Sequence, residues 1–156
     1  ALPISYDPFP NHEAATAVGA CLVDLPVLLA ESDYVSLHLP LTAATKHLID
    51  RRALRSMKNG AILVNTARGG LIDEAALADA VTSGHLMGAG LDVFEDESDP
   101  RRHGAIRSLI ALPNVVASAH AAGSSHEGLA RTNRIAARTV IDVLHGRAVD
   151  PQCVVV

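Results

Sequence analysis

Short apolar runs of strand length alternate with helical patterns along the chain. The first run, Ala1-Leu2-Pro3-Ile4-Ser5-Tyr6-Asp7, predicts a short strand stopped by Pro8 and Pro10, because proline lacks the amide that a strand ladder needs. Leu25 to Glu31 predicts a short helix that feeds a second run, Tyr34-Val35-Ser36-Leu37-His38-Leu39, closed by Pro40. The amphipathic segment Asp50 to Met57 stops at Asn59-Gly60, a helix-end signal, and leads into Ala61-Ile62-Leu63-Val64-Asn65. That run is almost wholly apolar, as suits a strand covered on both faces.

Punctuation sharpens the second half. Asp73 predicts a helix N-cap, Ile72 and Leu77 are spaced for a hydrophobic staple, and Gly84 offers a left-handed residue past the helix end. Gly88 to Val93 returns to strand, a polar loop follows, and Val115-Val116-Ala117 forms the last strand. Ser124 with Glu127 three residues on reads as a capping box for a final helix, with apolar positions Leu129, Ala136, Val140 and Leu144 down to Gly146. Repeated strand, helix, strand order predicts an α/β fold with a doubly wound parallel sheet and helices on both faces. Such sheets bind ligands outside the carboxyl ends of their strands. The residues to weigh are therefore Asp7, His38 to Pro40, Thr66 to Gly70, Asp92 to Glu97 and Ala117 to Gly123.

Composition narrows the function more than the fold. A chain of 156 residues with 49% hydrophobic residues has the size of one domain and buries enough surface to need neither disulfide nor metal staples. Thirteen Lys and Arg against seventeen Asp and Glu give a net charge of -4, the wrong sign for gripping nucleic-acid phosphates or an anionic membrane. No apolar stretch reaches the length of a membrane span and no basic, then apolar, leader opens the chain. Cys21 and Cys153 stand outside any CxxC spacing, which suits a reducing cytoplasm. The eight histidines lack metal-ligand spacing, so no metal is expected.

Four positions carry candidate chemistry. Asp7 ends the first strand in Tyr-Asp-Pro-Phe, where a carboxylate would accept hydrogen bonds from the ribose hydroxyls of a dinucleotide; a turn-forming Asp before proline is the alternative. Arg68 lies in Asn65-Thr66-Ala67-Arg68-Gly69-Gly70, placed for bidentate recognition of a carboxylate beside two glycines that let a ligand approach the backbone, or else for a surface salt bridge. His120 follows the last strand and Glu97 ends Leu91-Asp92-Val93-Phe94-Glu95-Asp96-Glu97. A carboxylate that holds an imidazole fixes its tautomer for proton transfer near neutral pH; the alternatives are an inert loop histidine and a solvated acidic loop from Glu95 to Asp99. Gly88-Ala89-Gly90 lacks the third glycine of a phosphate fingerprint and precedes a strand, so it predicts close packing instead.

Together these segments resemble the D-isomer-specific 2-hydroxyacid dehydrogenase family over nearly the whole chain. The resemblance is carried by Ser32 to Thr42, Met57-Lys58-Asn59-Gly60-Ala61, Val64 to Gly70, Asp73-Glu74, Gly90-Leu91-Asp92-Val93-Phe94 and Ala119-His120, in the family's order and spacing. It implies a Rossmann-like sheet, incomplete at the N-terminus because the family's first strand and GxGxxG turn precede the Tyr-Asp-Pro segment. It implies NAD as cofactor and hydride transfer between NAD(H) and a 2-hydroxy or 2-oxo acid. Arg68 would bind the substrate carboxylate and polarise the C2 carbonyl, His120 would be the acid/base, and Glu97 would orient it. Asp7 would hold the ribose, Leu39, Pro40, Thr66, Ala67 and Arg68 would line the dinucleotide, and Asp92 would meet the nicotinamide carboxamide.

The resemblance further implies that residues 1–123 form part of an NAD-binding domain, that 124–156 pack toward a substrate domain, and that the full-length protein is a homodimer. Two departures bear on the proton-transfer pair: Glu97-Ser98 stands for the family's Glu-Pro and Ala119-His120 for its Pro-His, so both loops lose a rigid residue. Two other functions compete with catalysis. One is an NAD-sensing module similar to the C-terminal-binding-protein-like corepressors, suggested by Gln152-Cys153-Val154; the other is an inactive truncated fragment.

Overall fold

The computed structural model describes residues 2–95 and 103–149. The chain divides into two compact units, Ala1–Ala119 and His120–Val156. In the first unit two short parallel strands, β1 (Ile4–Ser5) and β2 (Cys21–Leu22), flank helix α1 (His12–Ala17) in sequence and pair in register Ile4 to Cys21. A four-stranded sheet follows, made of β3 (Tyr34–Leu37), β4 (Ile62–Asn65), β5 (Gly88–Leu91) and β6 (Val115–Ala117), in that spatial order and parallel throughout. Helix α2 (Leu25–Glu31) leads into β3, and α3 (Arg51–Ser56), α4 (Glu74–Thr82) and α5 (His103–Ile110) connect the four strands, each helix packed on the next.

The core lies between that helical layer and one face of the sheet. Leu29 of α2, Leu54 of α3, Leu77 of α4 and Leu109 of α5 join Val35, Leu37, Leu63 and Leu91 in a single buried cluster. The other face is more open: Tyr34 and Ser36 of β3 and Val116 of β6 are exposed. Period-two alternation in β3 follows directly, because successive side chains of a strand point to opposite faces.

Most predicted punctuation operates as expected. The Asp73 side chain accepts from the Ala76 amide at the start of α4, Ile72 and Leu77 are both buried in the core, and Gly84 has φ +75 just past the helix. Gly88 is a packing site, since a Cβ there would lie 2.4 Å from the Asn114 carbonyl oxygen.

Three expectations need correction. The segment before β6, expected as a polar loop, contains α5, whose Leu109 is buried and which packs on α4. Helix α1 and strand β2 were not expected; α1 buries no residue, so it leaves no apolar stripe to read. Ser125, not Ser124, caps the last helix, α6 (His126–Leu144), and accepts from Gly128 N. The Ser124 amide is already committed to the Ala121 carbonyl in the preceding turn, which shifts the cap by one residue. In the second unit α6 buries no residue and exposes Leu129, Ile135, Val140, Ile141, Val143 and Leu144.

Candidate active site

The register of the four-stranded sheet lines up the candidate residues. Leu37, Asn65, Leu91 and Ala117 are mutual partners in one row across the sheet. His38, Thr66, Asp92 and Ser118 therefore leave it side by side along the carboxyl edge, spread over about 14 Å at ordinary strand spacing. That is where open parallel sheets bind their ligands.

Asn65 shapes the turn that carries Arg68. It is a buried polar residue at the end of β4, and burial without partners would cost about 1–3 kcal/mol. Both ends of its amide are used: Nδ2 donates to the Arg68 carbonyl at 2.9 Å, and Oδ1 accepts from the Ala67 amide at 3.0 Å. The Arg68 side chain is exposed, its Nη1 donates to the Ala67 carbonyl, and it has no ion pair among the described residues. The surface-salt-bridge alternative for Arg68 therefore finds no partner among those residues.

The two glycines after Arg68 serve a different purpose from the one expected. A Cβ on Gly69 would lie 2.0 Å from the Phe94 carbonyl oxygen, so the backbone of another loop fills the space anticipated for a ligand. Gly70 has φ +78, a conformation glycine adopts at no steric cost.

At the next strand, Asp92 is buried at 3% exposure and its amide donates to the Asn65 carbonyl. Ser118 Oγ donates to Asp92 Oδ1 at 2.5 Å, while the Ser118 amide donates to Leu91. Asp7 has its Oδ1 accepting from the Phe9 amide at 2.8 Å, the turn that Asp-Pro predicts. Leu39 is half-buried and Pro40 exposed, and the Pro40 carbonyl accepts from Thr45 Oγ1. His120 begins the second unit with a left-handed backbone, φ 53. Glu97 lies outside the described residues. Thus Thr66, Ala67, Arg68 and Asp92 share the edge of the first unit, and His120 is described within the second.

Residues 3–122 match the family described as D-isomer specific 2-hydroxyacid dehydrogenase, NAD binding domain. The chain belongs to that family. It is 48% identical over 128 residues to the hydroxypyruvate reductase of Thermotoga maritima, covering 82% of this chain and 40% of that protein. It is 44% identical over 141 residues to the glyoxylate reductase of Korarchaeum cryptofilum, covering 90% of this chain and 41% of the relative. Against D-3-phosphoglycerate dehydrogenase of Mycobacterium bovis it is 43% identical over 146 residues, 94% of the chain and 27% of the relative. The fold resembles D-lactate dehydrogenase with NAD+ from Lactobacillus jensenii at a TM-score of 0.83 and 32% identity, over 93% of this chain and 46% of that one. The chain thus spans about two fifths or less of these curated relatives.

Two features of this dehydrogenase-family chain escaped sequence reasoning. The first is a cavity of about 790 Å³ in the first unit, lined by Leu2 to Asp7 on one side and Tyr34 to Leu39 on the other. Strands β1 and β3 each stand at the edge of their sheet there. The second is the environment of Glu95, expected in a solvated acidic loop. Its side chain is only 20% exposed, with His47 Nε2 at 2.8 Å from one carboxylate oxygen and Lys46 Nζ at 3.0 Å from the other. Burial pushes the Glu95 carboxyl up, but the hydrogen bonds and charges of His47 and Lys46 outweigh it and hold it below the ordinary value. Contacts spanning 48 residues leave no local signal.

Proposed function

We propose that this chain is most of the NAD-binding domain of a dehydrogenase that interconverts D-2-hydroxy acids and 2-oxo acids. The observation that carries the reading is the single row at the carboxyl edge, where the turn that carries the exposed Arg68 side chain and the buried Asp92 carboxylate follow adjacent strands. An exposed guanidinium with no ion pair among the described residues suits bidentate capture of a substrate carboxylate and polarisation of its C2 carbonyl.

NAD(H), when bound, supplies or accepts the hydride. Asp92, held by Ser118, would meet the carboxamide of the nicotinamide; Asp7 would hold the adenosine ribose; Leu39, Pro40, Thr66, Ala67 and Arg68 would line the dinucleotide. His120 would give its proton to the carbonyl oxygen during reduction and take it back during oxidation, with Glu97 fixing the imidazole tautomer. The cavity between the edges of β1 and β3 supports an incomplete sheet, since one parallel strand seated there would pair with both. Residues 1–123 would then belong to the NAD-binding domain and 124–156 would pack toward a substrate domain, in a homodimeric cytoplasmic enzyme. The exposed apolar side chains of α6 support that packing.

Steady-state kinetics of Arg68→Ala in the intact protein, with hydroxypyruvate or glyoxylate and NADH, test the assignment. Loss of a charge-assisted contact should lower kcat/KM by about 1.5–3 kcal/mol, with KM raised and kcat reduced. Unchanged kinetics would remove Arg68 from the site.

A further inference from the structure

Three segments far apart in sequence meet around the turn that follows Arg68. The loop after β3 turns back through a left-handed His47, φ 51, whose amide donates to the Gly70 carbonyl at 2.8 Å. Two residues on, the Ile49 amide donates to the Leu71 carbonyl. The loop after β5 also runs against this turn, so close that Gly69 admits no Cβ beside Phe94. Glu95 closes the assembly. Its carboxylate only accepts, so it takes one hydrogen bond from His47 Nε2 and one from Lys46 Nζ, while its amide donates to Glu74 of α4. Its Cγ would stand 3.8 Å from a Cβ on Gly70.

A histidine in a left-handed conformation is sparsely populated and persists where its surroundings over-determine it. Here its side chain and its backbone are both engaged, one to Glu95 and the other to Gly70. The Arg68 side chain, by contrast, is exposed and among the described residues is fastened only at Nη1. Its aim therefore depends on the turn beneath it.

We propose that Glu95 is a positioning residue: clasped by Lys46 and His47, it clamps the Gly69-Gly70 turn and so aims the Arg68 guanidinium at a substrate carboxylate. The clamp rests on geometry within the first unit alone; its catalytic consequence rests on Arg68 being the carboxylate-binding residue.

Two measurements separate those layers. Nitrogen-15 spectra of the 156-residue chain should show the Arg68 Nε–H, Gly69 and Gly70 resonances displaced in Glu95→Gln, with the His47 amide exchanging faster. The milder Lys46→Met should shift the same set by less. Unchanged resonances in both variants would overturn the clamp. In the intact enzyme, Glu95→Gln should raise KM for hydroxypyruvate about fivefold with kcat held within about twofold, a split that general loss of stability would not produce. That rise should vanish in the Arg68→Ala background, because coupled residues are non-additive. An equal rise with and without Arg68 overturns the positioning role. If Arg68→Ala leaves KM unchanged, the carboxylate assignment fails, while the spectra still decide the clamp.

Discussion

The two sheets of the first unit are built from the same kind of short parallel strand, yet they differ in what holds them. Every buried residue among those described lies between Leu29 and Val115, on the four-stranded sheet, its helices and the loops that join them; the β1–β2 pair and α1 contribute none. Strands β3 to β6 cover a continuous layer of leucine, valine and alanine supplied by α2 to α5. Strands β1 and β2 have two paired residues each and half-buried or exposed side chains. A two-stranded ribbon is marginal without a further strand or an apolar face to lean on. The difference teaches that Asp7 hangs from the weakly held part of the molecule, whereas the turn of Arg68 and the buried Asp92 stand on its core.

The largest test of that contrast is a pair of truncations. Leu63→Ala removes a side chain with 0% exposure from the centre of β4 and should destabilise the chain by about 2–5 kcal/mol through lost burial and the cavity left behind. Ile4→Ala, in β1, should cost less than about 1 kcal/mol, because its side chain is already partly in water. Urea denaturation of both variants gives the comparison directly. Equal losses would mean that β1 shares the core and that the contrast is false.

A smaller effect is expected where the core meets the site. Gly69→Ala drives a methyl into the Phe94 carbonyl, 2.0 Å from the ideal Cβ position, and overpacking of that kind costs about 1–3 kcal/mol. Gly84→Ala meets no atom within 4 Å but sits at φ +75, so it should cost closer to the 1 kcal/mol of a left-handed alanine. Thermal denaturation that ranks Gly84→Ala above Gly69→Ala would show that the 94–95 loop yields readily, and the firm footing of Arg68 would be lost with it.

How far the sequence exposes this arrangement depends on the range of the interaction. Ala61 to Asn65 is legible as a buried strand because its apolar run is uninterrupted, and Asp73 is legible as a cap because its partner, Ala76, is three residues away. The alignment of Thr66, Asp92 and Ser118 on one edge is legible too, since parallel strands of similar length place their ends together. Helix α5 is not, because it is only eight residues long and follows the polar run Glu95 to Arg102, which reads as loop. The purpose of Gly69 is likewise hidden: glycine next to a candidate binding residue suggests a ligand, and only the fold reveals that Phe94 takes the space. Glu95 reads as one of four acids in a loop, yet its partners lie 48 and 49 positions earlier in the chain.

The smallest effect concerns pH and lies at the clasp beside the Arg68 turn. Glu95 has its carboxyl below the ordinary value of 4.5: burial acts upward, but the hydrogen bonds and charges of His47 and Lys46 prevail. A carboxyl depressed in the folded state favours folding fully above its unfolded value, and the benefit disappears as pH falls through the lower, folded one. The groups facing it are Lys46, His47 and, at its amide, Glu74. Between pH 6 and about 3 the wild-type chain should therefore lose more stability than Glu95→Gln, which has no carboxylate to protonate. Denaturation midpoints across that range decide the point: parallel acid limbs for wild type and Glu95→Gln would show that the carboxylate contributes nothing to the fold, whereas convergence at low pH would place its contribution at the clasp with His47 and Lys46.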